Sequence, residues 1–140
     1  MSCAVRSRRR PPRPPARILV VEDEQLVAAG TQAILEDAGY QVAGIAATAE
    51  DAVALTAAER PDLVLMDIQL AGPRSGVEAA VEIAERFGTG IVFVSAWADS
   101  QIRQRAEPAR ALGWVVKPYD PVHLLADVAR AMATLPARRA

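Results

Sequence analysis

The chain has 140 residues, 51% of them apolar and only 4% aromatic, which is enough for one aliphatic core and too short for two ordinary domains. Its net charge of −1 conceals a split. Residues 1–17 carry six arginines and no acid, which leaves ten basic and seventeen acidic side chains, net −7, on the rest. No run of about 18 apolar residues argues for a membrane span, and the single cysteine, Cys3, excludes an intrachain disulfide and suits a reducing, cytoplasmic setting.

Residues 1–16, MSCAVRSRRRPPRPPA, read as a disordered basic tail, because arginine and proline cannot bury a core. A solvated leader or a mis-assigned start codon is favoured over an electrostatic or polyproline docking arm. The continuous β-branched run ILVV (18–21) predicts a first strand, and DEQLVAAGTQAILEDAG after it predicts a helix with Val27, Ala33, Ile34 and Ala38 as its apolar stripe and Gly39 as its stop. QVAGIAA (41–47) is a weaker strand. TAEDAVALTAAER then opens a helix with Thr48 and Asp51 at capping-box spacing and closes before Pro61. LVLM (63–66) is the third strand, GVEAAVEIAERFG (76–88) a helix stopped by Gly88, and GIVFVSA (90–96) the fourth strand. DSQIRQRAEPARALG (99–113) has helical character, but Pro108 must break or kink it and leave a short or irregular fourth helix. WVV (114–116) is the fifth strand, and Asp120 with Pro121 makes a cap and first-turn pair for a last helix to about Leu135. Residues 136–140 form a short C-terminal tail. Strands apolar on both faces belong to a parallel sheet covered by helices on both sides. Residues 17–135 are therefore expected to form a single doubly wound α/β domain, a (βα)5 unit around a parallel five-stranded sheet. It contains no DNA-reading module, so neither nucleic acid nor membrane is an expected partner of the domain.

Ligands of open parallel sheets bind beyond the carboxyl ends of the strands. At that edge the chain places Glu22, Asp23 and Glu24 after strand 1, Asp67 after strand 3, Ser95 and Ala96 at the end of strand 4, and Lys117 at the end of strand 5. Lys117 is the single lysine among sixteen basic residues, a compact point charge where the chain otherwise writes the planar arginine fork. Crowded carboxylates repel unless a cation neutralises them. Magnesium suits such an oxygen donor set, with manganese an acceptable substitute. Zinc is not expected, because Cys3 lies in the tail and His123 reads as an exposed residue opening the last helix. Glu24 reads as a capping or dipole residue of the first helix. A carboxylate beside a magnesium ion and a lysine can attack a phosphoryl group and become an aspartyl phosphate. The sequence has no G-x-x-x-x-G-K-[ST] loop, and Ser95 stands in no G-x-S-x-G elbow.

The pieces VVEDE, LVLMDIQL, SGVEAA, IVFVSA and GWVVKPYD, in this order over about residues 17–135, resemble the receiver domain of two-component response regulators. The resemblance implies a flavodoxin-like fold with strand order 2-1-3-4-5 and Asp67 as the phosphoacceptor. Magnesium would be held by Glu22, Asp23, Asp67 and the backbone carbonyl of Gln69. Ser95 matches the switch hydroxyl, with Ala96 beside it at the phosphoryl-binding strand end, and Lys117 matches the lysine that pairs with the phosphoryl group. The peptide from Lys117 to Pro118 is typically cis in the family. Trp114 stands where the family has its switch aromatic, and Gln69 and Trp97 stand where the family sets the rate of dephosphorylation. The implied function is a stand-alone signalling switch, enzymatic only toward its own phosphorylation and dephosphorylation. A sensor histidine kinase or a histidine phosphotransfer protein would charge it. It would be read by an unidentified downstream protein, or by a second copy, on the face of the fourth helix, fifth strand and fifth helix.

Three features depart from the family pattern: DIQLAGPRSGVE lacks a proline close behind Asp67, Trp114 is bulkier than the usual tyrosine, and Pro108 interrupts the output face. A phosphorylation-independent scaffold is the alternative, against which the complete set of acids, hydroxyl and lysine counts. A phosphohydrolase would carry a second acid two residues after the nucleophile, where this chain has Gln69.

Overall fold

The computed structural model describes residues 15–96 and 99–135; Trp97 and both tails up to residue 14 and from residue 136 lie outside this range. Five strands and five helices alternate: β1 (Arg17–Val21), α1 (Gln25–Asp37), β2 (Gln41–Ala46), α2 (Ala49–Glu59), β3 (Leu63–Asp67), α3 (Gly76–Phe87), β4 (Gly90–Ser95), α4 (Ser100–Ala106) with a 3-10 turn (Glu107–Ala109), β5 (Gly113–Val116) and α5 (Pro121–Thr134). All pairings are parallel, in the order β2-β1-β3-β4-β5. The winding therefore reverses between β1 and β3, and the carboxyl ends of those two strands open a crevice.

Strand alternation divides the core into two layers. Leu19, Val21, Val64, Met66, Ile91 and Phe93 face α2, α3 and the 3-10 turn. Ile18, Val20, Leu63, Leu65, Val92 and Val94 face α1 and α5. β3 is buried along its whole length, which is why its sequence shows no polar alternation before Asp67.

The helix ends follow local chemistry. Thr48 Oγ1 accepts the Asp51 amide at 3.1 Å, and Asp120 Oδ1 accepts the His123 amide at 2.8 Å. Ser75 and Glu78 form a reciprocal capping box at α3. Glu24 does not cap as its position suggests. It is the N-cap residue of α1 without a side-chain hydrogen bond, and its amide turns back to Glu22 Oε2 at 3.2 Å. The apolar stripe of α1 also differs from expectation. Ala28, Thr31 and Leu35 are buried, Val27 and Ile34 half-buried, and Ala33 and Ala38 exposed. In so alanine-rich a helix two frames share the same spacing, and the frame chosen is the one that buries Leu35 and gives the Thr31 hydroxyl a partner.

Pro108 ends α4 after seven residues. Lacking an amide hydrogen it cannot donate to the carbonyl four residues back, and the chain tightens into the 3-10 turn. Ala106 and Ala109 on either side of Pro108 remain buried against the core, so the irregular segment is packed rather than loose.

Gly76 fixes the start of α3. A Cβ there would lie 1.8 Å from the carbonyl oxygen of Asp67, and its amide donates to Ile68 O at 2.8 Å. The first turn of α3 thus rests on the peptide that carries Asp67. Gly88 has φ +66 at the helix's other end, with open space around a notional Cβ. Gly76→Ala is expected to cost about 3 kcal/mol by forced displacement of backbone, against about 1 kcal/mol for Gly88→Ala by left-handed strain. Urea unfolding of both variants checks this, and equal losses would show that α3 slides off Asp67 without resistance.

Candidate functional site

The crevice collects side chains from three strand ends. Glu22 follows β1, Asp67 ends β3, and Lys117 follows β5, whose register on β4 is extended by the Lys117 amide donating to Ser95 O at 2.8 Å. Glu22 and Asp67 are each 6% exposed. The Lys117 ammonium lies between them, 2.7 Å from Glu22 Oε1 and 3.0 Å from Asp67 Oδ2.

The second oxygen of each buried carboxylate meets a backbone amide two residues on. Glu24 N donates to Glu22 Oε2 at 3.2 Å, and Gln69 N donates to Asp67 Oδ1 at 3.1 Å. Both carboxylates are therefore fixed at two points, one charged and one neutral. Burial pulls the Lys117 pKa down, but the hydrogen bonds to Glu22 and Asp67, reinforced by their charges, outweigh it and leave the pKa above the ordinary lysine value. Lys117 is a firmly protonated cation.

Asp23 completes the acidic set. It is exposed, and one carboxylate oxygen each from Glu22, Asp23 and Asp67 lie within 4.8 Å of one another. Three carboxylates against one ammonium leave two negative charges uncompensated at one point. Every donor is an oxygen, one is solvent-facing and two are held from behind, a set that fits a hard divalent cation retaining several waters and does not fit zinc.

The other residues singled out in the sequence take distinct places. Ser95 is buried at the end of β4 and Ala96 is exposed just after it. The peptide between Lys117 and Pro118 is cis. Trp114 is half-buried within the layer facing α2 and α3, its ring centroid 4.7 Å from that of Phe93 and its face 4.4 Å from the Arg103 guanidinium of α4. His123 is exposed and paired with Asp120 at 2.7 Å, outside the acidic cluster. Trp97 lies outside the described residues.

Several features of the site were not read from the sequence. Gly76 behind Asp67 was visible only as an S-G-V-E helix start, whose Ser-x-x-Glu spacing does encode the capping box. The contact of Arg103 with Trp114 and the bond between Thr31 and Tyr119 join residues far apart in the chain and left no local signal. The extended segment after Asp67 reaches α2 through a parallel bridge of Ala71 with Thr48. With Ile102 and Arg105 of α4 it walls an open groove of about 320 Å³.

Comparison with known proteins agrees with this arrangement. Residues 18–129 match the response regulator receiver domain family. The transcriptional regulatory protein PdtaR of Mycobacterium tuberculosis is 36% identical over 105 residues, which cover 75% of this chain and 51% of PdtaR. Protein Rrf1 of Nitratidesulfovibrio vulgaris is 40% identical over 120 residues, covering 86% of this chain and 85% of Rrf1. The chain thus spans about half of the first relative and most of the second. Among solved structures, the signal receiver domain of a modulated diguanylate cyclase from Desulfovibrio desulfuricans superposes with a TM-score of 0.79 at 34% identity, over 85% of this chain and 94% of that one. The strand order, the acidic crevice with its lysine, and these likenesses converge: the chain belongs to the response regulator receiver domain family.

Proposed function

We propose that the chain is a phosphorylation switch in which Asp67 is the phosphoacceptor. The observation that carries this reading is the half-buried Lys117 ammonium held between buried Asp67 and Glu22, with Asp23 beside them. A carboxylate oxygen of Asp67 attacks the phosphorus of a phosphohistidine. The P–N bond breaks, its electron pair stays on the imidazole nitrogen, and an acyl phosphate remains on Asp67. The Gln69 amide steadies the carboxylate for attack, and Lys117 meets the negative oxygens of the transferred group. Glu22, Asp23 and Asp67, with the Gln69 carbonyl, would hold magnesium, or manganese in its place, which supplies further neutralisation of the phosphoryl oxygens when bound.

The donor in this reading is a sensor histidine kinase or a histidine phosphotransfer protein in the cytoplasm. Leu26 of α1, Val116 of β5 and Val122 of α5 are 89%, 66% and 75% exposed at the same edge of the sheet as Asp67, which favours a protein as the donor. Among the described residues no helix is long and apolar enough to cross a membrane. The output surface is the face of α4, β5 and α5, for a downstream protein or a second copy. Ser95 is paired with Val116, and Phe93 with Trp114, so a shift of the Ser95 hydroxyl toward a phosphoryl group reaches β5 through adjacent register positions. The short α4 and its 3-10 turn form one side of this face.

Incubation of the full chain with magnesium and acetyl phosphate, followed by intact mass and peptide mapping, tests the assignment. One phosphoryl group on Asp67, lost in Asp67→Asn and without magnesium, is the expected result. Failure of both acetyl phosphate and beryllium fluoride to bind would instead favour a phosphorylation-independent scaffold. Trp97→Glu is expected to shorten the phosphoryl lifetime, measured as release of inorganic phosphate; an unchanged decay would remove Trp97 from the rate-setting positions.

Lys117→Met leaves one oxygen of each of two buried carboxylates without its partner, and is expected to cost on the order of 1–3 kcal/mol. Magnesium should bind this variant more tightly than the parent, because no ammonium competes for the same oxygens. The Lys117 pKa is raised on folding, so its ion pairs contribute fully below the unfolded lysine value and are lost as pH rises through the higher folded value. The stability gap between parent and Lys117→Met should therefore close above about pH 10. Urea unfolding at pH 7 and at alkaline pH checks both statements, and a gap independent of pH would remove the charge from the explanation.

A further inference from the structure

Thr31 is a polar residue at a core position of α1, 5% exposed and flanked on the buried stripe by Ala28 and Leu35. Its hydroxyl is hydrogen-bonded to the hydroxyl of Tyr119, whose side chain packs against the layer between the sheet and α5. Tyr119 is two residues beyond Lys117, and Thr31 lies in the helix that begins three residues beyond Glu22. The two segments that supply the opposite charges of the site are therefore braced to each other by this hydroxyl pair.

The rest of the loop shows why a brace matters. Lys117 is tied to the sheet on one side by its amide on Ser95 O, and Asp120 is tied to α5 on the other by accepting the His123 amide. Pro118 is exposed and has no amide hydrogen to give. Between those anchors, Tyr119 supplies the only hydrogen bond found among the described residues from this loop to α1. A lysine stem has four rotatable bonds, so the position of its ammonium depends on how firmly its backbone is held.

From the bond between the Thr31 and Tyr119 hydroxyls, we infer that Tyr119, acting through Thr31, is a positioning residue that holds Lys117 over the oxygens of the incoming phosphoryl group. This rests on the reading of Asp67 as phosphoacceptor. A hydroxyl merely satisfied in the core would affect stability alone; a positioning hydroxyl supports the phosphoryl mimic without supporting cation binding. Loosening Lys117 weakens binding of a phosphoryl mimic that needs the ammonium. It also frees Glu22 and Asp67 for a divalent cation that competes with the ammonium.

The test uses the full chain with magnesium chloride alone, and with magnesium chloride plus beryllium fluoride read by fluorine NMR and titration calorimetry. Tyr119→Phe and Thr31→Val are each expected to weaken beryllium fluoride binding about three- to tenfold, the share of one net hydrogen bond, with magnesium binding unchanged or tighter. The double variant should be no weaker than either single one, since both remove the same bond, and it should recover stability because no polar group is left alone in the core. Parallel loss of both ligands, in step with unfolding free energy, would overturn the inference and leave a purely structural bond. So would beryllium fluoride binding within twofold of the parent in Tyr119→Phe. If the parent chain itself takes neither beryllium fluoride nor a phosphoryl group at Asp67, the phosphoacceptor reading fails first and this one with it.

Discussion

Three carboxylates at the end of a buried sheet make a site that the fold alone does not favour, and the Lys117 ammonium is the one side-chain cation that bonds to them among the described residues. Removing Glu22 and Asp67 from water is costly unless each meets opposite charge and hydrogen bonds. Each receives one bond from Lys117 and one from a backbone amide. The remaining negative charge is concentrated where Asp23 faces solvent. The arrangement is thus neutralised enough to fold and charged enough to attract a cation, and one lysine is shared by both buried carboxylates.

The architecture around the cluster is arranged to keep those oxygens still. Parallel pairing puts the ends of β1, β3 and β5 at one edge although they are far apart in the chain. Behind Asp67 the α3 backbone approaches so closely that only glycine fits at residue 76. In front, the bond between Thr31 and Tyr119 joins α1 to the loop bearing Lys117. The part left irregular is α4, where Pro108 shortens the helix while Arg103 still covers Trp114. The acids are therefore held by close packing and paired bonds, whereas the irregular segment lies away from them, at α4.

Most of this plan was legible before any coordinates, for physical reasons. Apolar runs such as ILVV and LVLM have no polar alternation because both faces are covered, and their alternation with helical segments points to a parallel sheet. Charged residues directly after such runs fall at the carboxyl edge, so Glu22, Asp23, Asp67 and Lys117 could be grouped by topology. Alanine-rich α1 is less legible, since small side chains mark no face, and its buried stripe differs from the one its spacing suggests. Glu24 misled because an acid before a helix signals a cap, whereas here its amide is turned toward Glu22. The bonds of Tyr119 with Thr31 and of Arg103 with Trp114 span long stretches of chain, and no spacing rule reports such meetings.

The rarity of lysine in this chain has a chemical corollary. With one ε-amine in these 140 residues, Lys117 is the one lysine an amine-directed reagent can find here. Acylation or carbamylation at Lys117 would erase the charge that Glu22 and Asp67 share, and both carboxylates shield it from attack while it is held between them. The chain therefore reports on its own site: a lysine-selective label adds mass only where Lys117 has left Glu22 and Asp67.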